Sequence, residues 1–289
     1  MKLATFSHRG RRRLGVVVDD HVADVLAVDP TLPSDLAALL AAGPSAMAAV
    51  ERAAKGAGNR IALGSIRLEA PIARPGKFLA IGLNYRDHVG EMGRELPTFP
   101  VFFNKQVTCI NGPFDPIHRP RVSDELDYEG ELGFVVGRRC RHVPRERAHE
   151  VVAGFLVVND VSVRDWQRRA PTMTLGKSFD THGPIGPWLT TLDEIGDPNA
   201  LGIRTWVNGA LRQDSDTSRQ IFDYRAQIEV LSTVCTLEPG DIVSTGTPAG
   251  VGFGMDPPRF LSPGDRVRIE IERIGSIENE VVDEPQDGR

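Results

Sequence analysis

The sequence predicts a β-rich α+β fold: a mixed roll or barrel of many short strands, preceded by a small N-terminal α+β domain. Three observations carry this. Short β-like runs are numerous and are punctuated by 29 glycines and 21 prolines. Helical stretches are few after residue 70. The texture changes at the stiff segment Pro71-Ile72-Ala73-Arg74-Pro75-Gly76, which sets a boundary near residue 70. Residues 1–70 and 71–289 are therefore read as two domains, in keeping with a prior of roughly one domain per ~150 residues.

Taken in order, strands are expected over residues 3–6, 14–18 and 22–25. An Ala/Leu-rich helix follows over residues 36–54. It opens after Ser34-Asp35 and stops near Gly56 and Gly58. Ile66-Arg67-Leu68 alternates as a strand. Beyond the boundary, strands are expected over 78–81, 132–136, 154–158, 204–207, 241–244 and 267–271. Helical turns are expected over 85–91, 145–152, 163–169 and 221–232. The polar tail, 283–289, is expected to fray.

Composition excludes several classes. Hydrophobic residues make up 40% and charged residues 25%, which argues against wholesale disorder. The net charge is −5, and residues 9–13 are read as the one dense basic run, on a solvated turn. Nucleic acid is therefore not an expected partner. Cys109, Cys140 and Cys235 show neither zinc spacing nor a CxxC pair, and their odd number argues against a disulfide framework. That implies a reducing, cytoplasmic setting. The apolar run 14–18 is too short for a signal peptide, and no membrane-length apolar stretch exists.

Common catalytic motifs fail. Gly176-Lys177-Ser178 would need a glycine where Pro171 stands to be a phosphate loop, and residues 246–254 lack the third glycine of a dinucleotide fingerprint. There is no GxSxG elbow and no HExxH.

A carboxylate constellation remains. In Asp127-Tyr128-Glu129-Gly130-Glu131-Leu132, leading into a strand, Glu129 and Glu131 share a face, with Gly130 leaving room between them. A lone pair of this kind is more often an exposed charged edge. A third acid changes the reading: the apolar run 151–158 is a buried strand that ends in Asn159-Asp160, at a rim. Three adjacent acids repel unless a cation joins them, and Mg²⁺ or Mn²⁺ leaves positions open for water or substrate. Asp127 has the parity of a fourth ligand but is read as a rim or turn acid. If residues 160–167 are helical, Asp160, Arg164 and Gln167 share a face, which suits an anionic, oxygen-rich ligand. Upstream, His88 and Glu91 lie three apart, so on a helical turn the carboxylate orients the imidazole as a general base.

Six motifs stand in order. They are Gly82-Leu83-Asn84-Tyr85 with His88 and Glu91; Phe102-Phe103-Asn104-Lys105; Asp127 to Leu132; Asn159-Asp160 with Arg164 and Gln167; Gly176-Lys177-Ser178-Phe179-Asp180 with Gly183-Pro184-Ile185-Gly186-Pro187; and Ser244-Thr245-Gly246-Thr247-Pro248-Ala249-Gly250. Together they resemble the fumarylacetoacetate hydrolase family, in its short prokaryotic-type branch, over roughly residues 70–272. The resemblance implies that family's mixed β-sandwich roll, a homodimer, and Mg²⁺ or Mn²⁺ on Glu129, Glu131 and Asp160. It implies a His88–Glu91 dyad on a lid, Lys177 as a catalytic cation, and Arg164, Gln167 and Thr247 as contacts to substrate oxygens. Asn104 and the Gln106-Val107-Thr108-Cys109 run depart from the family pattern and are expected near the pocket wall.

The implied chemistry is hydrolysis of a C–C bond in a 1,3-diketo acid, of the acylpyruvate or fumarylpyruvate kind, through an enolate whose charge the divalent ion stabilises. Oxaloacetate decarboxylation, or isomerisation or hydration of an unsaturated 2-oxo acid, suits the same parts. A noncatalytic ligand-binding relative would have lost some of them.

Overall fold

The computed structural model describes residues 1–289 apart from residues 57, 59 and 287–289. Among the described residues, one large sheet carries ten strands in the order Arg60–Ala62, His21–Asp24, Arg11–Val18, Lys2–His8, Gly183–Thr190, Val152–Asn159, Gly130–Val136, Ile242–Ser244, Phe78–Gly82 and Val101–Lys105. Two short strands branch from it. A second sheet runs Ala210–Asp216, Gly202–Val207, Arg266–Ile271, Gly275–Asp283 and Ile117–Arg119. The chain is strand-rich with few helices, as the sequence predicts.

Both faces of the central strands are covered, and the two-residue period assigns them. Leu132, Phe134, Val136, Phe155 and Val157 pack against Ile203, Ile269, Ile271 and Ile277 of the second sheet, and against Tyr224, Ile228 and Leu231 of helix Tyr224–Val234. Phe134, Phe155 and Tyr224 meet edge to face at 5.4–6.5 Å. On the opposite face, Val135, Leu156 and Val158 pack with Leu36, Leu39, Val50 and Ile72. A strand buried on both faces needs continuous apolar residues, which is why 151–158 shows no alternation. Lys2–His8 pairs with Gly183–Thr190 (Lys2↔Thr190, Leu3↔Leu189), so both sides of residue 70 share one sheet.

Some expectations are corrected. The helix expected over 36–54 is two helices, Leu36–Ala41 and Pro44–Gly56. Gly43 turns the chain at φ +81°, and Pro44, lacking an N–H, suits the start of the second helix. The turn expected over 163–169 is helical only at Arg164–Gln167. The basic residues 11–13 belong to strand Arg11–Val18, and Arg13 pairs with Asp24. Nor is that run the one dense basic stretch. Arg138, Arg139, Arg141, Arg145 and Arg147 crowd the connection between the two central strands. The tail is tied at its start: Asp283 is in register with Arg119, and Glu284 N–H donates to Arg119 O at 3.1 Å. Its last residues, 287–289, lie outside the described ones. No helix among the described residues is long and apolar enough to cross a membrane.

Candidate active site

The site grows from the ends of the two central strands. Gly130 is in register with Asn159 and Glu131 with Val158, and Asp160 N–H donates to Glu129 O at 2.9 Å. Glu129 and Asp160 therefore face each other across the ladder, and Glu131 follows two residues on. All three project from the same sheet face as Val135 and Val158. The three carboxylates are buried, with ligand oxygens within 4.8 Å of one another. Gly130 serves a different purpose from the one expected. A Cβ there would lie 2.3 Å from Thr205 Oγ1 and 3.1 Å from Gln213 Oε1, so glycine admits the second sheet against the opposite face.

Cations surround two of the acids. Lys177 Nζ bridges Glu129 Oε2 (2.7 Å) and Asp160 Oδ2 (2.9 Å). Arg164 Nη1 reaches Glu129 Oε1 at 2.6 Å. Lys105 Nζ donates to Asp160 Oδ1 at 2.6 Å and to the Lys177 carbonyl. Among the described residues, the donors that meet Glu131 are neutral: the Ser244 hydroxyl (2.6 Å) and Gly246 N–H (2.7 Å).

The electrostatics follow this asymmetry. Burial opposes charge on Glu129, yet Lys177, Arg164 and then His88 hold its carboxyl well below the usual range. Burial, then repulsion from Asp160 and Glu129, pushes Glu131 well above it. Lys177 is held in its charged form against burial by Asp160 and Glu129. A buried carboxylate beside two others, without a cation of its own, is where a further positive charge fits. With oxygen donors only, the set suits a hard divalent ion.

Asp127 and Arg164 differ from expectation. Asp127 is fully buried and is neither a rim acid nor one of the clustered ligands. It accepts Arg164 Nε at 2.8 Å and the N–H groups of Gly252 (2.8 Å) and Phe253 (3.0 Å). Arg164 shares no helix face with Asp160, because strand Ser162–Val163 intervenes. Arg164 points instead to Asp127, Glu129 and Gln167 Oε1 (3.0 Å). Thr247 Oγ1 donates to Gly130 O at 2.9 Å and accepts from Gln213 Nε2 at 2.8 Å. It thereby ties the second sheet to the strand that carries the acids.

His88 and Glu91 meet as their spacing predicts. They lie on helix Arg86–Glu91, with His88 Nδ1 2.9 Å from Glu91 Oε2. Gly250 N–H donates to the other Glu91 oxygen at 2.8 Å, and His88 is buried, so the segment is closed over the site.

Lys105 received no role from the sequence. The signal was strand parity: Phe103 and Lys105 are buried while Asn104 between them is exposed. Asn104 therefore stands on the outer face and not on the pocket wall.

The family profile described as fumarylacetoacetate (FAA) hydrolase C-terminal matches residues 77–282. A mitochondrial oxaloacetate tautomerase of Xenopus laevis is 43% identical over 93% of this chain and 86% of its own length. A maleylpyruvate hydrolase of Sphingobium sp. SYK-6, solved with manganese(II) and pyruvate, is 36% identical. The match covers 99% of this chain and 100% of that one, with a TM-score of 0.82. A fumarylacetoacetate hydrolase of Exiguobacterium antarcticum is 37% identical over 98% of this chain and 100% of that one, with a TM-score of 0.88.

Proposed function

This chain belongs to the fumarylacetoacetate hydrolase family, and from that premise we propose that it is a divalent-metal-dependent hydrolase of a 1,3-diketo acid of the acylpyruvate or fumarylpyruvate kind. The observation that carries the reading is the pairing of two devices: three buried acids with one lacking a counter-charge, and a closed His88–Glu91 dyad. Glu129, Glu131 and Asp160 would hold Mg²⁺ or Mn²⁺. When bound, the ion supplies a Lewis acid for the carboxylate and keto oxygens of a 2-oxo acid.

The chain's own groups do the rest. Glu91 fixes the imidazole through Nδ1, leaving Nε2 to take a proton from water as it attacks the distal carbonyl. The C–C bond to that carbonyl breaks, one product is a carboxylate, and the other is pyruvate or a related 2-oxo acid once its carbon is reprotonated. Lys177 and Arg164 hold positive charge beside the three acids, where negative charge would develop on the substrate's 2-oxo end. Arg164, Gln167 and Thr247 are proposed as substrate contacts. The proposal includes a homodimer, tested by light scattering. The free thiols of Cys109, Cys140 and Cys235 fit a reducing, cytoplasmic setting.

A second reading is keto–enol tautomerisation of oxaloacetate, favoured by the 43% identity to the tautomerase; decarboxylation of the same acid would draw on the same parts. There His88 would carry a proton without water attacking carbon. The deciding experiment is a panel of acylpyruvates, fumarylpyruvate, oxaloacetate and dienoic 2-oxo acids with Mn²⁺ or Mg²⁺. Pyruvate release from acylpyruvates supports the hydrolase; turnover confined to oxaloacetate overturns it.

A further inference from the structure

Asp127 is a buried acid with no part in the chemistry above, yet all its bonds lead toward the site. Its Oδ1 accepts the N–H groups of Tyr128 (2.9 Å) and Gly252 (2.8 Å). Its Oδ2 accepts Phe253 N–H (3.0 Å) and Arg164 Nε (2.8 Å). The neighbouring Tyr128 hydroxyl donates to Gly250 O at 2.8 Å. The same Gly250 offers its N–H to Glu91, which orients His88. Two branches therefore leave one pair of residues. One runs through Arg164 to Glu129; the other runs through residues 250–253 to the dyad.

An ion pair serving stability alone would need only Arg164. Here the carboxylate also collects two N–H groups from a loop far along the chain, and the adjacent tyrosine holds the carbonyl of Gly250, the residue whose N–H donates to Glu91. We propose that Asp127, with Tyr128, is a positioning residue that sets the His88–Glu91 dyad against the carboxylate cluster through residues 250–253. The role rests on the enzymatic reading above. It differs from both sequence expectations for Asp127, the fourth ligand and the rim acid.

The consequence is mechanical. The dyad rides on a six-residue helix held to the body in part by the Glu91–Gly250 bond. A shift of the 250–253 loop would displace His88 while leaving the strand bearing Glu131 in place. Misplacement of a catalytic group by about 1 Å can cost about a hundredfold in rate.

The test uses Asp127→Asn and Tyr128→Phe in the full chain. Asp127→Asn keeps the side chain's shape but points an NH₂, or loses an acceptor, toward two donors. Tyr128→Phe removes only the oxygen that meets Gly250. On whichever substrate the wild type turns over, kcat should fall about ten- to a hundredfold for Asp127→Asn and severalfold for Tyr128→Phe, with KM within about twofold. Placed in a His88→Ala background, Tyr128→Phe should cost no further activity, because it acts through His88, and Asp127→Asn should cost clearly less than it does in the wild type, because only its Arg164 branch is left to lose. Independently of any substrate, the Val89 and Met92 amides, which close helix Arg86–Glu91, should exchange about tenfold faster in Asp127→Asn. Amides of Gly130–Val136 should not change. Unchanged exchange at Val89 and Met92, or losses that add fully to His88→Ala, would overturn the proposal. If the wild type turns over no 2-oxo acid, the functional reading fails by itself and the exchange comparison decides this one. Should Asp127→Asn fail to fold, Tyr128→Phe carries the same comparison.

Discussion

Replacing Lys177 with methionine tests the charge balance of the site directly. Its Nζ lies 2.7 Å from Glu129 and 2.9 Å from Asp160, and the side chain is buried. Four buried acids, Asp127, Glu129, Glu131 and Asp160, are met by Lys105, Lys177 and Arg164. The cluster is thus one positive charge short without a metal, and two short in the variant. Methionine keeps most of the volume, so the loss is electrostatic. Breaking a buried pair by removing one partner costs about 3–5 kcal/mol. For a chain of this size that lowers Tm by about 6–20 °C. The gap should narrow below pH 5, because acids deprived of their cation take up protons more readily. Saturating Mn²⁺ should raise Tm in both proteins, by about 2.7 kcal/mol of stabilisation at a hundredfold excess over Kd. It should also narrow the gap, since the ion supplies part of the missing charge. Melts in EDTA and in Mn²⁺ at pH 5 and 8 read all of this. A variant melting with the wild type in EDTA at pH 8, or a wild type indifferent to Mn²⁺, would refute the reasoning.

Four other outcomes are expected. Exhaustive chelation should abolish activity, as should Glu129→Ala, Glu131→Ala or Asp160→Ala; full activity in EDTA would remove the metal from the account. The raised Glu131 means that its own contribution to metal-free stability is complete at low pH and is lost as pH climbs above the ordinary value of 4.5, so Glu131→Gln should remove that component of the pH dependence in urea titrations. Burial pushes His182 down from 6.5 to about 3, so its contribution is complete above pH 6.5 and is lost as pH falls. Between pH 6.5 and 5 the wild type should lose about 2 kcal/mol more than His182→Gln. His88→Ala should lower acylpyruvate hydrolysis by about 10²–10⁴ and any oxaloacetate decarboxylation by less; equal losses measured side by side would mean that His88 does not activate water.

The sequence by itself determined the parts whose information is local. Strand parity placed Glu129 and Glu131 on one face. The unbroken run 151–158 announced a strand covered on both sides and put Asp160 at its rim. A spacing of three paired His88 with Glu91. Tertiary structure alone decided what those parts meet. Arg164 pairs with Asp127 and Glu129, not Asp160, because a short strand interrupts the helix that would have joined them. Lys105 arrives from a strand 55 residues before Asp160. Gly130 is small for the sake of a strand pair, Gly202–Val207 and Ala210–Asp216, that begins more than seventy residues later. A charge's worth depends on its neighbours through space, and local periodicity carries direction but no partner. That is why local pattern showed the acids, while among the cations that set their protonation Lys177 came only with the family resemblance, Arg164 was given the wrong partner and Lys105 was not read at all.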